Sequence, residues 1–351
     1  MNRKNRYTAF TLMSLLCIIM HNQAPAQSSY KLVKEQLGDS KITIAIPEKW
    51  NQHLLVLAHG YVPQGLPLSS DFPLPLYQQL LEKGWMVAGT SYRRNGFMAE
   101  EGVEDIYSLH KYLMNKYGQP ERTILQGKSM GGMISTLIAE SDKGKFDGVV
   151  AIGAGLQLKD TLGFELTYKP QLPIIFLTNQ SEAAAPKAYV EKASQNNDKA
   201  VFWLVKRDGH VNVNSREQEA AINSLIEFID GKGIERNKDG TIFVKPVSTA
   251  IFEKGGALTA IKWIDPLYGN LYVELTAEDL AKLGIGFKEK FHIEYGGKSY
   301  SALYGSTYND VAVGEWVGFL TGDGTMQISC NYKNAGAKLN CQPGEKILIT
   351  K

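Results

Sequence analysis

Residues 54–58, 85–90, 148–152, 173–177 and 201–205 are apolar almost throughout. Unbroken runs of this length suit strands buried on both faces, as in a parallel sheet. Residues 41–46 alternate instead, which predicts a half-buried strand. Between the runs the period lengthens. Val103, Ile106, Tyr107, Leu109, His110 and Leu113 recur at helical spacing and predict a helix over 99–117. Further helices are expected at 77–83, 133–140, 188–193 and 215–229. Strands alternating with helices from 41 to about 231 predict an α/β domain, a mainly parallel sheet with helices on both faces.

The pattern changes after Gly231. Residues 232–245 begin polar and glycine-rich, as a linker would. Short β-branched pieces then follow at 258–263, 271–275, 291–295, 299–304, 316–320, 326–331 and 346–350, with one helical segment at 277–283. This predicts a small, mostly antiparallel β domain over 246–351. No internal repeat and no low-complexity tract is visible.

The first 26 residues read differently again. Arg3, Lys4 and Arg6 precede an apolar stretch at 9–20, and Ala24-Pro25-Ala26 supplies small residues at the cleavage spacing. That order predicts a secretory signal peptide cut after Ala26, an exported (periplasmic or secreted) chain with no stable membrane anchor, and an α/β domain over 27–231. Its removal leaves 35 basic against 36 acidic residues, a charge near −1 that offers no electrostatic reason to bind nucleic acid. Cys330 and Cys341 remain, an even pair that predicts a disulfide in an exported protein. No Cys/His partners stand at metal-ligand spacing.

Candidate chemistry centres on Gly127-Lys128-Ser129-Met130-Gly131, a G-x-S-x-G between a predicted strand at 122–126 and a predicted helix. On such a turn the serine hydroxyl stands clear of the sheet, and the glycines keep β-carbons out of the strand–helix contact. A nucleophilic serine needs a base, a group that orients the base, and donors for the oxyanion. His210 lies in the loop after the last apolar run, at the carboxyl edge of the expected sheet. Glu182 is the acid in the turn after 173–177, with Asp208 and Asp198 as rivals. The N–H groups of Tyr61, after His59-Gly60, and of Met130 are the expected oxyanion donors, with His59 holding its loop. Lys128, Arg93 and Arg94 at strand ends read either as attractors of an acidic substrate or as solvated charges. Tyr61, Tyr92 and Phe97 read either as an acyl pocket or as packing.

The elbow, the His-Gly turn, the acid turn and the Gly-His loop follow one another in the order of the α/β-hydrolase superfamily, which residues 31–231 resemble. The resemblance implies a serine hydrolase without cofactor or metal, and a carboxylic ester as small-molecule substrate is the first choice. A serine peptidase of the same fold is the alternative. The short stretch between 152 and 173 leaves room for only a small lid.

Ile264-Asp265-Pro266-Leu267-Tyr268-Gly269-Asn270, the 306–311 segment, Thr321-Gly322-Asp323-Gly324 and Ile328-Ser329-Cys330-Asn331 resemble the C-terminal β domain of the S-adenosylmethionine hydroxide adenosyltransferase family. There the domain helps hold an adenosine portion at a subunit interface. The resemblance implies that Tyr268, Asn270, Thr321 and Gly324 line a pocket for a planar ligand, or else that the domain stabilises or oligomerises the chain with no ligand. Nothing in the first 240 residues resembles that family's other domain. A non-catalytic binding protein that uses this β domain is the alternative from a different class.

Overall fold

The computed structural model describes residues 30–142, 144–253 and 255–351. The expected signal peptide lies outside the described residues. In the first domain the elements run β1 (Tyr30–Leu37), β2 (Ser40–Pro47), β3 (His53–Ala58), α1 (Gln78–Glu82), β4 (Met86–Thr90), α2 (Glu100–Tyr117), β5 (Arg122–Lys128), α3 (Met130–Ser141), β6 (Gly148–Ile152), α4 (Lys159–Leu162), β7 (Ile174–Asn179), α5 (Ala184–Ala193), β8 (Ala200–Val205), α6 (Ser215–Ile229) and β9 (Asn237–Asp239). They build a nine-stranded sheet in the order β1-β2-β4-β3-β5-β6-β7-β8-β9. Strands β3 to β9 are parallel, and β1 and β2 form an antiparallel edge.

The unbroken apolar runs follow from this layering. Successive side chains of a strand point to opposite faces, so Leu54 and Val56 enter one core with Leu125, Ile134 and Ile106. Leu55 and Leu57 enter the other with Ile124, Leu81 and Leu225. Both faces are covered, so a polar side chain in these strands needs a buried partner, as Gln126 finds in Gln218 and Asn179 in the Asn212 backbone. The connection from β6 to β7 carries only a short 3-10 turn and the four-residue α4, so the sheet's carboxyl edge has no large insertion over it there.

The second domain runs β10 (Ile251–Glu253), β11 (Gly256–Ile264), β12 (Leu271–Thr276), α7 (Ala277–Lys282), β13 (Lys290–Tyr295), β14 (Lys298–Tyr304), β15 (Trp316–Leu320), β16 (Thr325–Cys330), α8 (Ala335–Leu339) and β17 (Lys346–Thr350). Its eight-stranded sheet closes on itself where β11 pairs with β17, which leaves a barrel around Ile261, Val273, Phe291, Met326 and Ile347. All its pairings are antiparallel except β14 with β15.

Two expectations need correction. The segment 232–245 is not a linker throughout, because β9 extends the first sheet beside β8. The Trp203 indole N–H donates to the Glu235 carbonyl at 3.1 Å, Arg236 pairs with Asp198, and Lys238 lies over the Trp203 ring at 4.2 Å. Polar residues hid this strand because a sheet edge tolerates them. The expected Cys330–Cys341 disulfide is absent, and both side chains are buried free thiols. Each faces its own carbonyl instead, Cys330 that of Gly314 at 3.1 Å and Cys341 that of Gly336 at 3.9 Å.

The barrel docks on the first domain beside the loop that follows β8. Asn212 donates to the Leu320 carbonyl at 3.0 Å, and Asn214 donates to the Gly322 carbonyl at 3.1 Å. Gly322 sits so close that a β-carbon there would lie 2.7 Å from the Asn214 nitrogen.

Candidate active site

Ser129 joins β5 to α3 with φ 57° and ψ −117°, a strained conformation for a residue with a side chain. The glycines around it are a packing requirement. A β-carbon on Gly127 would stand 2.1 Å from the Gly131 carbonyl oxygen, and one on Gly131 would stand 1.9 Å from the Ala58 carbonyl oxygen. The first turn of α3 therefore rests directly on the end of β3. The strain sits where the hydroxyl must be presented, and the burial of α3 against the sheet holds it there.

The three residues expected to act together do meet. His210 Nε2 lies 2.7 Å from Ser129 Oγ. On its other side His210 Nδ1 hydrogen bonds Glu182 Oε2. The second Glu182 oxygen accepts the Val211 N–H at 3.0 Å. The rivals are occupied elsewhere, Asp208 with Gln180 and Asp198 with Arg236.

Several residues outside this group hold it in place. Ser181 Oγ donates to the Gly209 carbonyl at 2.8 Å and accepts the Gly209 N–H at 3.0 Å, clamping the acid turn to the histidine loop. Asn179 accepts the Asn212 N–H at 2.7 Å and donates to the Asn212 carbonyl at 2.9 Å. Arg207 makes a paired contact with the buried Glu217 at 3.0 and 3.1 Å, and also reaches the Asn212 carbonyl at 2.8 Å. Val211 is held at φ 56°, which a β-branched residue adopts only when neighbours over-determine it. The sequence reading missed Ser181, Asn179 and Arg207. Their only signal was position in the two turns flanking the acid and the base.

Tyr61 and Met130 stand at the expected places, one in the loop after β3 and one opening α3. Among the described residues neither N–H has a hydrogen-bond partner. His59 holds the loop, with Nδ1 at 2.6 Å from the Gly60 carbonyl and its own carbonyl accepting the Tyr92 hydroxyl at 3.0 Å. Burial pushes the His59 pKa down, so the ring is neutral at pH 7. Tyr92 is fully buried and belongs to the core. Tyr61 stacks on Phe97 at 4.3 Å and meets Tyr332 of the barrel edge-on at 6.0 Å.

The basic residues near the site are largely engaged. Arg93 pairs with Asp105 and Glu104, and Arg94 pairs with Glu101, so both read as structural charges. Lys128 lies over the Tyr77 ring at 5.4 Å. Burial lowers its pKa to about 8, partly offset by the carboxylate of Asp265 from the barrel.

The barrel residues named from the sequence separate in space and bonding. Asn270 donates to the Tyr308 hydroxyl at 3.3 Å, inside the barrel's own polar network with Gln327. Thr321 and Gly324 close the turn between β15 and β16, where Thr321 Oγ1 donates to the Thr325 carbonyl at 3.0 Å and Gly324 lies against Pro246. Tyr268 alone of the four points to the Gly60 turn that Ser129 also borders. A β-carbon on Gly60 would stand 3.1 Å from the Tyr268 hydroxyl and 3.3 Å from Ser129 Cβ.

With this geometry in view, comparison with known proteins is direct. Residues 55–218 match the alpha/beta hydrolase fold family. The first domain is an α/β hydrolase fold. Residues 259–348 match the SAM hydroxide adenosyltransferase C-terminal domain. An o-phthalyl amidase of Xanthobacter agilis is 30% identical over 142 residues, which cover 38% of this chain and 30% of that protein. The chain therefore spans under a third of the length of that relative. Among solved structures, a Pyrococcus furiosus esterase aligns over 57% of this chain and 90% of its own at 15% identity and a TM-score of 0.43. An α/β hydrolase enzyme from a Medee basin deep-sea metagenome library aligns over 58% of this chain and 100% of its own at 17% identity and a TM-score of 0.46. The hydrolase domain and the barrel are thus two separately matched families in one chain.

Proposed function

We propose that the protein is a serine hydrolase that cleaves carboxylic esters through an acyl-enzyme. The observation that carries this reading is the unbroken hydrogen-bonded chain Ser129–His210–Glu182 at the carboxyl edge of the sheet. Ser129 Oγ attacks the carbonyl carbon while His210 Nε2 takes its proton. Glu182 keeps the Nδ1 proton on the far side of the ring and stabilises the imidazolium that forms. The N–H groups of Tyr61 and Met130 receive the negative oxygen. His210 then protonates the departing alcohol, and a water activated by the same nitrogen releases the acid. The His210 side chain is 39% exposed, so that water has access. The reading has the enzyme exported, with residues 1–26 removed.

One observation favours an amide as a second substrate class, the segment that is 30% identical to an o-phthalyl amidase. Acylation would use the same residues, but the leaving amine demands fuller proton transfer from His210.

The test is labelling with a fluorophosphonate probe beside Ser129→Ala and His210→Ala, followed by paired ester and amide substrates of one acyl group. Labelling of the wild type alone is expected, with ester turnover faster than amide turnover. A folded wild type that stays unlabelled would sink the hydrolase reading and leave the barrel as the place to look for function.

A further inference from the structure

The hydrolase domain's serine has a neighbour from the other domain that its own fold does not supply. Tyr268 lies in the turn between β11 and β12, and its hydroxyl crosses the domain boundary to Gly60, where it faces the same space as Ser129: a β-carbon on Gly60 would stand 3.1 Å from the hydroxyl and 3.3 Å from Ser129 Cβ. The turn is rigid. Asp265 Oδ1 accepts the N–H groups of Leu267 and Tyr268, both at 2.8 Å, and the Gly269 N–H returns to the Asp265 carbonyl at 2.8 Å. Gly269 has φ 73°, and a β-carbon there would fall 2.0 Å from the Asn334 side-chain oxygen, so the turn is also pressed onto the barrel.

The state of the phenol matters as much as its place. Burial raises its pKa, and the nearby Asp265 carboxylate adds to the rise, so the hydroxyl keeps its proton throughout the physiological range. The Gly60 backbone facing the phenolic oxygen offsets that rise only in small part. Among the described residues the hydroxyl donates to nothing. A protonated donor with no protein acceptor among the described residues therefore stands against Gly60, next to the Tyr61 backbone N–H and facing the space that Ser129 also borders.

We propose that Tyr268 is a catalytic residue of this site, supplied by the β barrel, whose hydroxyl donates a hydrogen bond to the substrate carbonyl oxygen as it becomes the oxyanion. The inference rests on the serine-hydrolase reading above. No proton is transferred in this step. The Tyr268 hydrogen bond shortens as charge builds on the oxygen and relaxes when the acyl-enzyme forms. On this view the barrel completes the active site, and a hydrolase domain without it has an oxyanion site short of one donor.

The experiment compares full-length wild type with Tyr268→Phe on p-nitrophenyl butyrate, with fluorophosphonate labelling of both. Loss of one oxyanion donor lowers kcat by about 10²- to 10³-fold in other enzymes. With two backbone donors left, a fall of about 10- to 100-fold is expected, with KM within about 2-fold, an unchanged Tm and slower phosphonylation in proportion. Wild-type labelling together with Tyr268→Phe turnover within 2-fold of wild type overturns the proposal and leaves the hydrolase reading standing. A fall in kcat accompanied by a lowered Tm means lost docking and also overturns it. Failure of the wild type to label removes both readings together.

Discussion

Replacing Glu182 by Gln should impair the site without disturbing its shape, and the geometry says why. One oxygen of Glu182 accepts the Val211 N–H at 3.0 Å, and the other hydrogen bonds His210 Nδ1. The backbone N–H can only donate, so the glutamine oxygen must stay with Val211. The amide NH₂ then faces His210 and forces Nδ1 to be the acceptor. The ring proton moves to Nε2, which lies 2.7 Å from Ser129 Oγ and can no longer take the serine proton. Wrong-tautomer substitutions of this kind lower kcat by about 10⁴-fold, or about 5 kcal/mol at roughly 1.4 kcal/mol per tenfold. Flipping the amide would set two donors against each other at Val211, at a cost of about 1–3 kcal/mol for a buried unsatisfied group. At roughly 1.4 kcal/mol per tenfold, that cost leaves about one molecule in 5 to 150 in the flipped, working tautomer, which limits the fall in kcat to about 5- to 150-fold. The assay is kcat on an activated ester, with urea unfolding to show that stability changes little. Glu182→Gln retaining more than about half of wild-type kcat would refute the assignment of Glu182 as the orienting acid.

Other substitutions probe the supports. Gly131→Ala would force a β-carbon to 1.9 Å from the Ala58 oxygen and should cost about 3 kcal/mol or more in urea unfolding, since neither backbone can retreat. Arg207→Met leaves Glu217 charged and fully buried without its partner, so stability should fall by about 3–5 kcal/mol, and a change under 1 kcal/mol would count against the bracing role. Lys128 has a folded pKa of about 8, below its ordinary value of 10.5. Above pH 8 the unfolded chain therefore holds more protons than the folded one at this residue, and its contribution to stability should rise with pH towards 10.5, by at most about 3 kcal/mol. Urea midpoints at pH 8.0 and 9.5 should show that rise in the wild type and lose it in Lys128→Met. Parallel curves for the two proteins would place Lys128 in contact with water.

Much of this protein was legible in its residues because the relevant physics is local. A sheet covered on both faces favours apolar side chains at most positions of its strands, and the runs at 54–58 and 148–152 state that preference directly. The serine turn announces itself because β-carbons at Gly127 and Gly131 would collide with backbone only a few residues or one strand away. The order of serine, acid and histidine follows from strands that end on the same edge of the sheet. Helix α6 falls at the predicted 215–229, helped by the capping box of Asn214 and Glu217.

What tertiary structure alone decided involves partners distant in sequence that carry no pattern of their own. Nothing in a serine or an asparagine marks Ser181 as the clamp on Gly209, or Asn214 as the donor to Gly322 more than a hundred residues away. Arg93 and Arg94 read either as substrate attractors or as solvated charges until Asp105, Glu104 and Glu101 are seen to take their charge. The two cysteines count as a pair in the sequence, yet the packing of β16 and α8 turns their thiols to separate carbonyls. Tyr268 could be read either as a residue of a separate ligand pocket or as part of a module with no ligand, because periodicity describes how each domain folds and says nothing of how two domains meet. Docking of the barrel brought its hydroxyl to the Gly60 turn beside Ser129, and that placement depends on surface complementarity rather than on any repeating feature of the chain.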